Sequence, residues 1–213
     1  MHNKNIRSFT SVDILNAALY EYFQKHTNVT KPNIILSGGN SPKSFYQLLA
    51  KHHIEWNKFK ITLSDERDVE LNNKKSNEGS IKKLINNDQF NKSFVGLRHT
   101  NSMNTLNRIN EYHFCLLGMG LDGHFASIFP AMNNLHSAYD ESVSLINVKN
   151  GFPDVPRISM TLAEINKANN IVLLIHGEEK MDLLLKARPE NKLLPIDKLF
   201  LSSHKKIDIF SVI

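Results

Sequence analysis

The sequence predicts an α/β fold: a single domain built on a mostly parallel sheet with helices on both faces. Short apolar runs of strand length alternate with segments whose apolar residues recur at helical spacing. Parallel strands need crossover connections, and the intervening helices supply them. The 213 residues contain no internal repeat and no Pro/Gly/Ser-rich linker, so one domain spans 1–213.

From Val12 to Phe23, Val12, Leu15, Ala18, Leu19 and Tyr22 mark one apolar helical face. Asn33 to Leu36 is a short apolar strand that ends before Gly38-Gly39. Ser41-Pro42 then opens a helix, with serine at the N-cap and proline at the first helical position. Phe59 to Leu63 reads as a strand and Asn77 to Ile85 as a helix, whereas Asn101 to Asn110 is polar without a pattern. Tyr112 to Leu117 is a strand broken by Gly118. Thr161-Leu162-Ala163-Glu164 matches a capping box and starts a helix running to about Ala168. Ile171 to Ile175 is a buried strand, Glu178 to Ala187 a helix after Gly177, and Ile207 to Val212 the closing strand.

Composition removes several classes of function. The 26 basic and 21 acidic side chains leave a formal +5 that is spread along the chain, so no nucleic-acid partner is expected. The single cysteine, Cys115, cannot form an internal disulfide. No apolar stretch follows the first basic residues, and the longest apolar runs fall far short of the roughly 20 residues of a membrane span. A soluble, cytoplasmic protein without a membrane partner is expected; the sequence sets no oligomeric state.

In parallel α/β sheets, ligands bind beyond the carboxyl ends of the strands. After the first apolar strand, Ser37-Gly38-Gly39-Asn40-Ser41-Pro42 fits either a plain strand-to-helix turn or an anion site with unpaired N–H groups. Ser64-Asp65-Glu66-Arg67 fits a solvated charge cluster or a polar site at the sheet edge. Leu116-Leu117-Gly118-Met119-Gly120-Leu121-Asp122-Gly123-His124 formally matches G-x-G-x-x-G after a strand. A dinucleotide is rejected there, because Asp122 would repel the pyrophosphate and Pro130 cuts the following helix short. The glycines instead expose Asp122 and His124, and an imidazole there can serve as a general base or simply as a surface histidine. Arg157 and Lys180 are ordinary surface charges taken singly; together they could grip a phosphate. No G-x-S-x-G elbow occurs, and Cys115 sits inside an apolar strand, which argues against covalent catalysis. With no H-E-x-x-H or C-x-x-C spacing, and His52-His53 poorly placed to chelate, no metal and no nucleotide cofactor is expected.

Together LSGGNSP (36–42), SDER (64–67) with KSN (75–77), LLGMGLDGHFASIFP (116–130), PRISMTL (156–162) and HGEEK (176–180) resemble the 6-phosphogluconolactonase family, part of a superfamily shared with glucosamine-6-phosphate deaminases. The resemblance covers about residues 33 to 187. It implies a sugar-phosphate lactone as substrate, with His124 as catalytic base, held and tuned by Asp122. It also implies that Arg67, Arg157 and Lys180 bind the anionic ends of the substrate. Gly38, Gly39 and Ser41 would line the sugar-phosphate pocket, and Asp65 would take the acidic position of the motif. The chain departs from the family pattern at Asn40-Ser41, at Asp68-Val69-Glu70, and at Phe125, which replaces the usual threonine. Deaminases of the superfamily carry a glutamate five residues after the histidine; here that position is Phe129. A deaminase or isomerase, or a catalytically silent sugar-phosphate sensor, are the alternative readings.

Overall fold

The computed structural model describes residues 4–98, 102–149, 155–186 and 188–213. Its strands are β1 (Lys4–Phe9), β2 (Asn33–Leu36), β3 (Lys60–Leu63), β4 (Asp65–Arg67), β5 (Phe114–Gly118), β6 (Leu145–Val148), β7 (Arg157–Met160), β8 (Ile171–His176) and β9 (Ile207–Val212). The α-helices are α1 (Val12–Thr27), α2 (Lys43–Leu49), α3 (Asn77–Ile85), α4 (Asp88–Lys92), α5 (Ser102–Leu106), α6 (Leu162–Asn166), α7 (Glu178–Leu185) and α8 (Pro195–Ser202).

Six strands form one parallel sheet in the order β1-β9-β8-β5-β2-β3, flanked by helices. Its central strands are apolar throughout because both faces are covered: Ile34, Ile35 and Leu36 of β2 and Phe114 to Leu117 of β5 have no exposed surface. From β2 the chain passes to β3 on one side and later returns to β5 on the other. The strand order therefore reverses between β2 and β5, where a crevice opens at their carboxyl ends.

A second sheet was not expected from the sequence. After β3 only Ser64 intervenes before β4, which leaves the parallel sheet and joins β7 and β6 in the antiparallel order β4-β7-β6. β4 consists of three charged residues and lacks the apolar alternation that marks a half-buried strand. Alternation of side chains along it nevertheless sends Asp65 and Arg67 to one face and Glu66 to the other.

Glu66 is buried and reaches the amino end of α3. It accepts the backbone N–H groups of Asn77 and Glu78 at 2.7 Å each, that of Arg67 at 2.7 Å, and the Ser76 hydroxyl at 3.0 Å. Ser76 in turn accepts the N–H of Gly79 at 3.0 Å as N-cap. Burial pushes the Glu66 carboxyl above the usual carboxylate range, while these donors pull against that rise.

Local details depart from the sequence reading. Pro42, not Ser41, holds the N-cap position of α2, with φ −87° and ψ 0° and no side-chain cap. Proline's fixed φ suits that half-helical conformation, so the helix starts one residue later than expected. Thr161 caps α6 by accepting the N–H of Glu164 at 3.3 Å, but the reciprocal half of the capping box is not made. The N–H of Thr161 goes to Ser144, and the Glu164 carboxylate instead accepts the Tyr112 hydroxyl at 2.7 Å and pairs with Lys167. α6 ends at Asn166, and Ala168 pairs instead with Tyr112 in an isolated bridge. α7 ends at Leu185, and Ala187 lies outside the described residues. Part of the unpatterned segment forms α5; Asn101 itself lies outside the described residues.

Glu66→Gln replaces a carboxylate that serves buried donors with an amide whose NH2 must face some of them. The variant is expected to lose about 2–3 kcal/mol of unfolding free energy in urea. A loss below about 0.5 kcal/mol, the range of neutral surface changes, would show that the α3 terminus does not depend on it.

Candidate active site

A cleft of about 940 Å³ opens at the carboxyl ends of β2 and β5, and every site residue expected from the sequence lines it. Two strand-end turns, the β4–β7 ladder and one helix start supply its walls.

The turn after β2 brings backbone to the cleft floor. A Cβ on Gly38 would lie 1.9 Å from Asn77 Oδ1, so only glycine lets the turn and α3 come together there. Asn77 Nδ2 donates to the Asp65 carbonyl at 3.0 Å, which ties the start of α3 to β4. Gly39 has φ +88°, a conformation that L side chains avoid, and Ser41 lies just beyond it on the cleft wall.

The antiparallel sheet contributes the charge. Arg67 and Arg157 are directly opposite each other on β4 and β7, and Asp65 faces Ser159 in the same ladder. Like charges opposite one another destabilise a sheet, so this pairing favours an anion between the two guanidinium groups. Arg157 is only 3% exposed, yet it borders the cleft. Burial lowers its pKa from the usual arginine value, the neighbouring Arg67 lowers it further, and Asp65 opposes both. Arg67 is oriented by donating from Nη1 to the Lys75 carbonyl at 2.7 Å, while its buried Nε meets no acceptor among the described residues. The Ser127 hydroxyl donates to Asp65 at 2.6 Å, and the N–H of Ser127 goes to the Ser159 hydroxyl at 3.2 Å. Asn77 lines the cleft and Ser127 holds Asp65 from outside its lining; both lie inside motif segments, but their partners are set by long-range pairing.

The third wall is the turn after β5. It closes on itself through hydrogen bonds from the Gly120 N–H to the His124 carbonyl (2.9 Å) and from the Gly123 N–H to the Gly120 carbonyl (3.1 Å). Asp122 Oδ1 accepts the His124 N–H at 3.2 Å and lies 2.5 Å from His124 Nδ1. Burial alone would raise the Asp122 carboxyl, but the hydrogen bonds and charge of His124 outweigh it and hold the group below the usual carboxylate range. An ionised Asp122 only accepts, so Nδ1 is the ring nitrogen that donates to it. A Cβ on Gly120 would lie 2.2 Å from the His124 ring and 2.7 Å from Asp122 Oδ1. Glycine therefore leaves room for the carboxylate–imidazole pair to fold back over the turn. The Phe129 ring lies 4.4 Å from the imidazole, and its face is 5.2 Å from the Arg157 guanidinium. One aromatic ring thus contacts both the imidazole and the buried cation.

Lys180 completes the cleft from the first turn of α7, which follows Gly177 at φ +92°. Behind it, at the end of β8, burial lowers the His176 pKa and the nearby Lys180 charge adds to the effect. Among the described residues no three His, Cys, Asp or Glu side chains gather as metal ligands, and no helix is long and apolar enough to cross a membrane.

The family model for glucosamine-6-phosphate isomerases/6-phosphogluconolactonase matches residues 11–207. A 6-phosphogluconolactonase of Caulobacter vibrioides is 33% identical over 188 residues, covering 82% of this chain and 80% of that protein. One from Helicobacter pylori is 28% identical across 95% of both chains. The solved structure of a 6-phosphogluconolactonase from Shewanella baltica superposes with a TM-score of 0.90 over 100% of this chain and 99% of its own, at 24% identity, which is a likeness of fold. By sequence and by architecture, this chain is a member of the glucosamine-6-phosphate isomerase/6-phosphogluconolactonase family.

Proposed function

We propose that the chain hydrolyses 6-phospho-D-glucono-1,5-lactone to 6-phosphogluconate, with His124 as general base. The observation that carries this reading is an imidazole fixed by a carboxylate on the same cleft as two cross-strand arginines and a lysine. The names of the chain's relatives point the same way.

The arginines accept the 6-phosphate, since a dianion between them relieves their mutual repulsion and suits guanidinium hydrogen bonding. Anchoring that end orients the lactone carbonyl toward the β5 turn. Nε2 of His124 takes a proton from water as the water oxygen bonds to C1. The carbonyl electrons move onto oxygen to give a tetrahedral oxyanion, which backbone N–H groups of the glycine-rich turns stabilise while Lys180 joins the arginines in holding the anionic end. When the oxyanion collapses, the bond from C1 to the ring oxygen breaks. The imidazolium returns its proton to that oxygen, leaving a hydroxyl and an acid that ionises in water. Asp122 stays ionised throughout and stabilises the imidazolium that forms between the two proton transfers.

Amine release from an amino-sugar phosphate is the less favoured chemistry here. Phe129 occupies the position from which a family glutamate would move protons, and its ring is packed against the imidazole instead.

Lactone disappearance, followed by coupled assay, tests the reading. His124→Ala should lower kcat by about 10²–10⁴ with the fold intact; retention of full activity would reject the base. Release of ammonia from glucosamine 6-phosphate at a comparable rate would overturn the lactonase assignment. Asp122→Asn removes the charge that favours the imidazolium, so the acid limb of the kcat/KM profile should move to lower pH while kcat falls. A limb that stays in place or moves upward would show that the carboxylate does not act on this imidazole. Arg157→Met should raise KM at least about 10-fold, the value of one charge-assisted hydrogen bond. In thermal melts it should also weaken the stabilisation that 6-phosphogluconate gives the wild type. An unchanged KM would place the phosphate elsewhere.

A further inference from the structure

The turn that carries His124 is closed inside by its own hydrogen bonds, but its outer side rests on the start of α8. The N–H of Ile196 donates to the Gly123 carbonyl at 3.0 Å. Leu194 presses so closely on Gly123 that a Cβ there would lie 2.7 Å from Leu194 Cδ1 and 2.9 Å from Leu194 Cβ. Gly123 adopts φ +77°, and a residue without a Cβ offers little resistance of its own to a change of backbone angle. Its conformation is therefore held by what it touches.

Leu194 is held by Asp197, which accepts its N–H on Oδ2 at 2.9 Å. Both Asp197 carboxylate oxygens also lie 3.1 Å from Arg188 Nη1, in a pair whose side chains are only 9% and 13% exposed. Arg188 Nη2 donates to the Leu183 carbonyl in the last turn of α7, and the first turn of that helix carries Lys180. One line of contacts therefore joins the helix of the cleft ammonium to the turn of the imidazole.

We propose that Arg188, Asp197 and Leu194 are positioning residues, a brace that fixes the Gly123 turn and so holds the His124 imidazole against Asp122. The kinetic side of this proposal rests on the lactonase reading. Its physical basis is geometric: a misplacement of about 1 Å at a reacting group can cost on the order of 100-fold in rate. Leu194 touches the turn, and the ion pair decides where Leu194 sits.

The test compares Leu194→Ala, Asp197→Asn and the volume-conserving Leu194→Met with Leu19→Ala, a core cavity in α1 away from the cleft. Lactone kinetics give kcat and KM, and long-range proton–nitrogen NMR of the histidine ring reports which nitrogen of His124 carries the proton. Leu194→Ala and Asp197→Asn should lower kcat about 5–50-fold with KM within about twofold. In both, the ring should shift from the Nδ1–H form to a mixture of tautomers. Leu194→Met should recover most of kcat and the wild-type ring signals. Leu19→Ala should lose thermal stability yet keep both. The brace is rejected if folded Leu194→Ala keeps the wild-type kcat and ring signals, or if Leu19→Ala loses kcat as heavily. Should Leu194→Ala not fold, Asp197→Asn carries the same decision. If the wild type turns over no lactone, the functional reading fails, and the ring signals alone judge the brace.

Discussion

Glu66 connects parts of the molecule that would otherwise have no reason to meet. Its carboxylate is buried where strand β4 has turned out of the parallel sheet, and it takes up N–H groups at the amino end of α3. An amino terminus buried without such an acceptor would leave several donors unpaired, at a cost of about 1–3 kcal/mol each. The same contact sets the roll of β4. With Glu66 committed to α3, the pleat obliges Asp65 and Arg67 to face the opposite way, into the cleft. One structural carboxylate therefore orients the two charged side chains beside it.

The cleft holds its charges at two levels of strain. Arg67 and Arg157 are forced side by side by the ladder of β4 and β7, and Asp65 offsets only part of that repulsion. Positive charge gathered in this way on one cleft is the kind of surface on which an anion gains charge-assisted hydrogen bonds. The imidazole lies outside this cluster. Phe129 packs against both it and Arg157, and the Asp122 carboxylate lies 2.5 Å from its Nδ1.

The glycines show how backbone and chemistry are coupled. Gly38 makes room for Asn77, Gly120 makes room for the Asp122–His124 pair, and Gly123 makes room for Leu194. Each is a close approach required by packing, and together they place two strand-end turns within reach of one ligand. That is why a glycine-rich signature resembling a dinucleotide loop serves here to fold a carboxylate and an imidazole over the turn.

Much of this was legible in the residues alone. The apolar runs of β2, β5 and β8 are continuous because both faces of the sheet are covered, and that pattern is local; β9 is interrupted by the buried Asp208 and Ser211. The glycine turns and the residues that follow them are likewise contiguous, so His124, Asp122 and the Gly38-Gly39 turn could be read directly. Tertiary structure decided the rest. β4 is wholly charged and carries no periodic signal; it is a strand because β7 pairs with it, and only that register sets Arg67 opposite Arg157. Thr161 and Glu164 carry a capping pattern, yet Tyr112 and Lys167 claim the glutamate. The seating of α8 on Gly123 joins residues far apart in the chain. Local composition specifies which conformations a segment can adopt, but charge pairing, burial and register depend on partners that arrive only when the chain has closed on itself.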